Sequence, residues 1–254
     1  MSSAGTPAVS RDLIEALRSA ERVVALTGSG TSAESRVPTF REAQTGLWAR
    51  YDPQHLATPE AFHRDPRLVW EWYEWRRNLV SEAEPNAGHR ALAKLERGVP
   101  EFTLITQNVD GLHQRAGSRA VVELHGNILR SRCSRERVIV EPEDRDNSVP
   151  PRCPRCGALL RPDVVWFGEM LPAGALEAAS EAARGCEVFF SIGTSSLVYP
   201  AAALPYGALE NGATVVEINP RETPLTGQAD HVLRGRAGEL LPEVLRMTFS
   251  PPDA

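Results

Sequence analysis

The chain has 254 residues, 42% of them hydrophobic and 24% charged, with a formal net charge of −5. That length admits one large domain, or one domain carrying an inserted module, and the balance excludes a disordered or fibrous chain. The acidic balance excludes a nucleic-acid surface that works by bulk positive field, and four cysteines are too few for a disulfide scaffold. All basic residues are arginines except Lys94, a feature of composition. The first residues hold no apolar run and no stretch reaches roughly 18 apolar residues, so a cytoplasmic protein with no nucleic-acid or membrane partner is expected.

Residues 10–20 predict a helix, with Ser10 as N-cap and Leu13, Ile14, Leu17 and Ala20 following at helical spacing. Arg22-Val23-Val24-Ala25-Leu26 then runs into Thr27-Gly28-Ser29-Gly30, the pattern of a buried parallel strand entering a tight loop. Similar strand runs recur at 102–105, 121–124, 188–192, 214–218 and 231–233. Stretches rich in Ala, Leu and Glu at 174–184, 201–210 and 238–247 suit helices. This alternation predicts an α/β core, a parallel sheet with helices on both faces. Residues 38–85 and 130–165 break the rhythm. The first is helical and Trp-rich; the second holds three cysteines and the acidic Glu141-Pro142-Glu143-Asp144. Both are read as insertions that together form a small lobe, leaving 1–37, 86–129 and 166–254 to the larger one.

Three clusters carry chemistry. Gly28-Ser29-Gly30-Thr31-Ser32-Ala33 is a G-x-G-x-x-A loop directly after a strand, where backbone can approach a pyrophosphate whose charge the amides meet. Pro38 interrupts the usual helix, and no strand with a terminal acid follows about 20 residues on, so an ordinary dehydrogenase is disfavoured. Asn219, after the 214–218 strand, and the hydroxyl-rich Gly193-Thr194-Ser195 are candidates for ribose contacts or for plain turn chemistry. The third cluster is Thr106-Gln107-Asn108-Val109-Asp110-Gly111-Leu112-His113 with Leu124-His125-Gly126. His125 at a strand end is the best general-base candidate, with Asn108, Asp110 and His113 expected to converge on it. His55, His63, His89 and His231 lack such company.

These blocks, with Pro38-Thr39-Phe40-Arg41, Pro162-Asp163-Val164-Val165-Trp166-Phe167-Gly168-Glu169 and Asn219-Pro220, resemble the sirtuin family of NAD-dependent protein-lysine deacylases, in the family's order over residues 20 to 245. The resemblance implies a Rossmann-like NAD-binding lobe, and a smaller lobe made of the helical insertion and a zinc-ribbon-like one. It implies NAD contacts from Gly28, Ser29, Gly30, Thr31, Ser32, Phe40, Arg41, Gln107, Asn108, Asp110, Gly193, Thr194, Ser195, Asn219 and Ala237. It implies catalytic roles for His125, as general base, and Asn108. An acylated-lysine protein or peptide would lie as a strand against Val165, Phe167, Gly168, Glu169 and Val198, in a monomer or weak oligomer. Ser29, Thr31 and Arg36 stand where the family usually has Ala, Ile and Gly. The change at Arg36 is expected to remove a φ > 0 option.

Residues 67–80 form a Trp-rich helical stretch, with Leu68, Trp72, Trp75 and Leu79 expected on one packing face. Tyr73 and Arg76, three apart on the adjacent face, suit a carboxylate. They also resemble the Tyr-x-x-Arg pair of the sirtuin class that removes malonyl, succinyl and glutaryl groups, which implies a preference for succinyl or malonyl over acetyl. Sirtuins commonly hold zinc with two Cys-x-x-Cys pairs. Cys153 and Cys156 keep that spacing, but Cys133-Ser134-Arg135-Glu136 has Glu136 in place of the fourth thiolate. Zinc on Cys133, Cys153 and Cys156 with Glu136, or a lobe held by packing alone, both remain open. Cys186 is expected to be a core thiol. The competing activities are mono-ADP-ribosyl transfer from the same NAD pocket and a non-catalytic NAD-binding module.

Overall fold

The computed structural model describes residues 9–37 and 52–249. Its strands are β1 (Arg22–Thr27), β2 (Glu101–Thr106), β3 (Val121–Glu123), β4 (Gly126–Cys133), β5 (Ile139–Val140), β6 (Leu160–Val164), β7 (Val188–Ile192), β8 (Thr214–Ile218) and β9 (His231–Leu233). The helices are α1 (Arg11–Ser19), α2 (Ser29–Ser32), α3 (Pro53–Leu56), α4 (Pro59–Arg64), α5 (Pro66–Glu82), α6 (Ala87–Gly98), α7 (Leu112–Arg115), α8 (Ala173–Gly185), α9 (Leu204–Glu210) and α10 (Ala237–Phe249). The Ser10 side chain accepts the Leu13 amide at 3.2 Å and starts α1. The 201–210 stretch begins as a 3-10 turn over Ala201–Ala203 before α9.

Six strands form a parallel sheet in the order β3-β2-β1-β7-β8-β9. The chain leaves β1 for β2 on one side and later returns to β7 on the other. The strand order reverses at that switch point, and in open α/β sheets ligands bind at the carboxyl edge beside such a point. The strand residues alternate between two cores. Val23, Ala25, Leu104 and Phe190 pack with Leu13, Leu17, Leu92, Leu95, Leu240 and Val244 of α1, α6 and α10. Val24, Leu26, Ile105 and Phe189 pack with Ala179, Ala183, Leu204 and Ala208 of α8 and α9. Each fully buried leucine contributes about 1.5–3 kcal/mol. The expected Rossmann-like α/β arrangement is present, and the thiol of Cys186 lies in the second core, raised to about 11 by burial.

A second, antiparallel sheet has the order β5-β4-β6. The helical insertion packs on it. Val69, Trp72, Tyr73 and Val80 of α5 join Phe62, Ile128, Val164 and Trp166 in one cluster, while Trp70 joins Cys133, Val140, Cys153 and Leu160 in another. The packing face of α5 therefore differs from the expected one. Trp72 is on it, and Leu68 and Trp75 pack half-buried against the same cluster, but the sheet approaches along Val69, Trp72, Tyr73 and Val80, which puts the deepest contact to one side of the expected stripe. Arg77 is buried as well. Its Nε donates to Ile128 O at 2.6 Å, its Nη2 donates to Arg130 O and Ser131 Oγ at 3.1 Å, and its guanidinium lies 4.7 Å from the Trp70 ring centroid. Among the described residues no helix is long and apolar enough to cross a membrane.

Candidate functional site

The loop after β1 is built by close approach. Gly28 N donates to Ile192 O at 3.0 Å and Gly30 N to Gly193 O at 2.8 Å. A methyl on Gly30 would lie 2.7 Å from the Gly193 carbonyl oxygen, and one on Gly28 2.8 Å from Thr194 Cα. Gly193 has φ 58°, and a methyl there would sit 2.5 Å from Thr31 N. These glycines thus let two loops of the protein meet, and two of the loop amides expected for a pyrophosphate are spent on that contact. Arg36 also corrects the reading from residue type: it adopts φ 61° itself, as the residue ending the 3-10 turn Ala33–Ser35.

The polar residues at the ends of β2, β7 and β8 knit to this loop. Gln107 Nε2 donates to Thr194 Oγ1 at 2.9 Å, and Asn219 Nδ2 to Thr194 O at 2.7 Å. Asn108 Nδ2 donates to Gly28 O and Ser32 Oγ, both at 3.1 Å. Ser32 Oγ in turn donates to Asp110 Oδ2 at 2.7 Å, and Leu112 N reaches Asp110 Oδ1 at 2.9 Å. Burial raises the Asp110 carboxyl, and these bonds oppose that rise. Ala237 is buried in the first turn of α10, where the next amide, Gly238 N, donates to Glu34 Oε2 at 2.8 Å. Glu34 has no mark in the local sequence, because its partner is distant in the chain.

Asn108, Asp110 and His113 do not converge on His125. Asn108 and Asp110 meet at Ser32, and His113 Nε2 lies beneath, 2.9 Å from Thr27 Oγ1. His89, set aside from the sequence, is fully buried 3.3 Å from Ser32 Oγ, with its ring centroid 4.7 Å from that of His113. The Asn86 amide donates to His89 Nδ1, so the proton sits on Nε2 and faces Ser32. Burial brings His89 down to about 4 and His113 well below the ordinary range. The two outcomes have different causes: residues 108–113 are distributed by the turn after β2, which spacing does not reveal, and His89 arrives from α6, far away in the chain.

His125 lies between β3 and β4. Its Nδ1 is 2.8 Å from Gln107 O, and a carbonyl only accepts, so Nδ1 carries the proton and Nε2 keeps its lone pair. Burial lowers the imidazole, which favours that neutral form; the bond to Gln107 works the other way. Val165 N donates to His125 O at 2.9 Å and ties His125 to the end of β6. Beyond it, Phe167 is 49% exposed and Val198 43%. The Glu169 side chain turns inward, held by Arg161 Nη1 and Nη2 at 2.6 and 2.9 Å and by Trp166 N at 2.8 Å. Tyr73 sits in the core beside Arg76, and its hydroxyl accepts from Trp166 Nε1 at 2.9 Å. Burial pushes Tyr73 up to about 12, so it stays a neutral donor. Trp166 was quoted in the motif but given no role from the sequence.

The Sir2 family model matches residues 28–200, a span that holds the loop after β1, the polar cluster from Gln107 to His113, His125 and Val198. The chain belongs to the Sir2 family. A protein of Aquifex aeolicus named NAD-dependent protein deacylase is 54% identical over 228 residues, covering 87% of this chain and 93% of its own length. The solved structure of a Sir2 homolog–NAD complex is 48% identical with a TM-score of 0.88, covering 95% of this chain and 94% of that one. A Sir2–p53 peptide–NAD+ structure is 32% identical with a TM-score of 0.82, covering 93% and 97%.

Within this Sir2-family chain, Phe40 and Arg41 lie outside the described residues. Ser29 is exposed, Thr31 buried and Ser195 half-buried, all on the crevice loops. Gly168 has φ 83° in the turn after Trp166. The thiols of Cys133, Cys153 and Cys156 lie within 4.8 Å of one another, a set able to hold a metal ion. Glu136 is turned away, its Oε2 3.1 Å from Arg155 Nε.

Proposed function

We propose that this Sir2-family protein is an NAD-dependent protein-lysine deacylase with His125 as its general base. The observation that carries the reading is the His125 tautomer: Nδ1 is committed to Gln107 O, leaving Nε2 to take a proton from a ribose hydroxyl. NAD would be a co-substrate, supplying the ribose whose hydroxyl oxygen takes over the acyl group and the nicotinamide that leaves. The donor set suits it, since Gln107, Asn108, Ser195 and Asn219 are half-buried polar side chains at the switch-point crevice. Gly28, Ser29, Gly30, Thr31 and Ser32, with Gly193, Thr194 and Ala237, would cradle the dinucleotide. Asn108 would stabilise charge developing at the ribose, held by Gly28 O and Ser32. Asp110 would position Ser32. The cradle would belong to the lobe made of 1–37, 86–129 and 166–254, with 38–85 and 130–165 forming the smaller lobe.

The acyl-lysine strand would pair with the backbone at Val165, Phe167, Gly168, Glu169 and Val198, and the exposed side chains of Phe167 and Val198 support a peptide contact. For the acyl group we read a succinyl or malonyl preference. Tyr73 supports it, since its oxygen accepts from Trp166 and its proton remains to donate. Arg76 supports it too, since its guanidinium lies 5.2 Å from the Trp72 ring centroid and Tyr73 sits close enough to bear on it electrostatically. An acyl carboxylate there gains a charge-assisted fork.

The test is a panel of matched succinyl, malonyl and acetyl peptides with NAD, read by mass spectrometry. Peptide-dependent nicotinamide release with O-acyl-ADP-ribose is expected. Label transfer to protein would indicate ADP-ribosylation, and binding without release a non-catalytic module. Arg76→Ala is expected to lower the succinyl-to-acetyl kcat/KM ratio by roughly 10- to 100-fold, as for loss of a hydrogen bond to a charged group. An unchanged ratio rejects the acyl assignment and leaves the deacylase reading standing.

A further inference from the structure

The two cysteine turns of the small sheet share one backbone plan. In the first, Cys133 N donates to Val138 O at 2.8 Å, Arg137 N donates to Cys133 O at 3.0 Å, and Arg137 has φ 60°. In the second, Cys153 N donates to Ala158 O at 2.7 Å, Gly157 N donates to Cys153 O at 2.9 Å, and Gly157 has φ 68°. Each turn therefore runs from a cysteine through two residues to a fourth position followed by a left-handed one. That fourth position is Cys156 in one turn and Glu136 in the other. Arg137 holds the left-handed conformation without being glycine, at a cost of roughly 1–2 kcal/mol, so the turn is kept where the local residue does not favour it.

The remaining three positions already suit a metal. The cysteines are free thiols, Cys133 Sγ lies 3.4 Å from Cys156 Sγ, and Glu136 N donates to Cys133 Sγ at 3.3 Å. Zinc with sulfur ligands at about 2.3 Å spaces them about 3.8 Å apart at the corners of a tetrahedron. Trp70, Val140 and Leu160 surround the thiols, which makes clustered thiolates costly without a cation. Only the fourth ligand is missing, and the matching backbone position carries a carboxylate that zinc accepts. Its present partner, Arg155, is 67% exposed, and such surface ion pairs are weak.

We propose that Glu136 completes a Cys3Glu zinc site, exchanging its ion pair with Arg155 for the metal. The first turn is then a ligand-bearing knuckle that has traded thiolate for carboxylate, and Arg155 competes with zinc for the fourth ligand. The site holds metal more loosely than four cysteines would, and its occupancy is tunable through Arg155. This does not depend on the deacylase reading.

The test is cobalt(II) titration of the reduced full-length chain, with zinc competition for affinity and the thiolate-to-cobalt charge-transfer band as a count of sulfur ligands. Wild type is expected to bind one ion per chain with a three-thiolate band. Glu136→Cys should raise that band by about a third and tighten binding at least tenfold. Glu136→Gln should weaken binding by at least tenfold, and Arg155→Ala should tighten it up to about fivefold, the scale of a surface ion pair. Far-UV circular dichroism of each apo variant separates loss of a ligand from loss of fold. Should Glu136→Gln misfold, Glu136→Cys still decides: an unchanged band and affinity place the fourth ligand elsewhere. Equal affinities for folded Glu136→Gln and wild type, or no metal uptake by wild type, also overturn the proposal.

Discussion

The carboxyl edge of the parallel sheet and the junction around the small sheet are held together by different physics. At the edge, three loops meet through glycine backbone and through neutral or singly charged hydrogen bonds: Gly30 on Gly193, Gln107 and Asn219 on Thr194, Asn108 on Ser32. At the junction the links are arginines paired with carboxylates. Arg130 spans Glu123 and Asp163, and Arg161 grips Glu169 under the Trp166 ring. The first region is limited by volume, since no atom fits between its loops. The second is limited by charge, since each desolvated ion depends on its partner. A crevice that must match a cofactor's shape gains from the first design, and two packed sheets gain from the directionality of the second.

The sharpest way to break this contrast is to add one methyl to the edge. Gly193→Ala meets Thr31 N at 2.5 Å and sits at positive φ, so a loss of about 3 kcal/mol or more in urea unfolding is expected. A loss below about 1 kcal/mol would show that the loops can separate without cost. At the junction, Glu169→Gln keeps the volume and removes the charge, leaving Arg161 without its anion. A loss of about 3 kcal/mol is expected, and Trp166 fluorescence should report the change, whereas wild-type stability would mean that the pair contributes nothing net.

Acidity should distinguish the two regions by its window. His89 sits at about 4 in the folded chain against an ordinary 6.5, so between those values the unfolded chain binds a proton that the folded one refuses. Its contribution, about 3 kcal/mol, is whole above pH 6.5 and lost as pH falls to 4. His113 loses stability from the same starting point. Asp110, raised in the fold, takes its proton early and opposes the loss at the lower end. Glu169 is held below the ordinary carboxylate value by Arg161 and the Trp166 amide, against its own desolvation, so the junction weakens only below about pH 4.5. Urea midpoints from pH 7.5 to 4.5 should therefore fall in wild type and flatten in His89→Gln. Parallel slopes in the two proteins would reject the assignment. The smallest effect is at Arg36, a left-handed arginine that ends the turn after the glycine loop. Arg36→Gly is expected to raise stability by up to about 1 kcal/mol in the same assay.

Much of the fold was legible because β1, β7 and β8 are unbroken apolar runs bounded by polar or glycine loops, and a run buried on both faces has few alternatives. The Ser10 cap that starts α1 works locally and so reads locally. The face of α5 was not legible: four aromatics and a buried arginine leave the apolar stripe ambiguous by one position, and the small sheet chose Tyr73 and Arg77 as inward residues. The site divided the same way. Gly28, Asn108, Asp110, His125 and Asn219 stand at strand ends, which the strand pattern marks. Their pairings are another matter, since His89, Glu34 and Trp166 reach the site from α6, from the turn after α2 and from the end of β6.

By itself the sequence determined the α/β class, the edge of the sheet where the chemistry gathers, the family resemblance and the residue types available there, because strand burial and motif order are properties of short stretches. Only the tertiary structure decided that His125 stands apart from Asn108, Asp110 and His113, which histidine lies beside Ser32, why the loop glycines are needed, and that the turns ending at Glu136 and Cys156 share one backbone plan. Those outcomes depend on distances between residues far apart in the chain, and they are set by the packing of helices against the sheet.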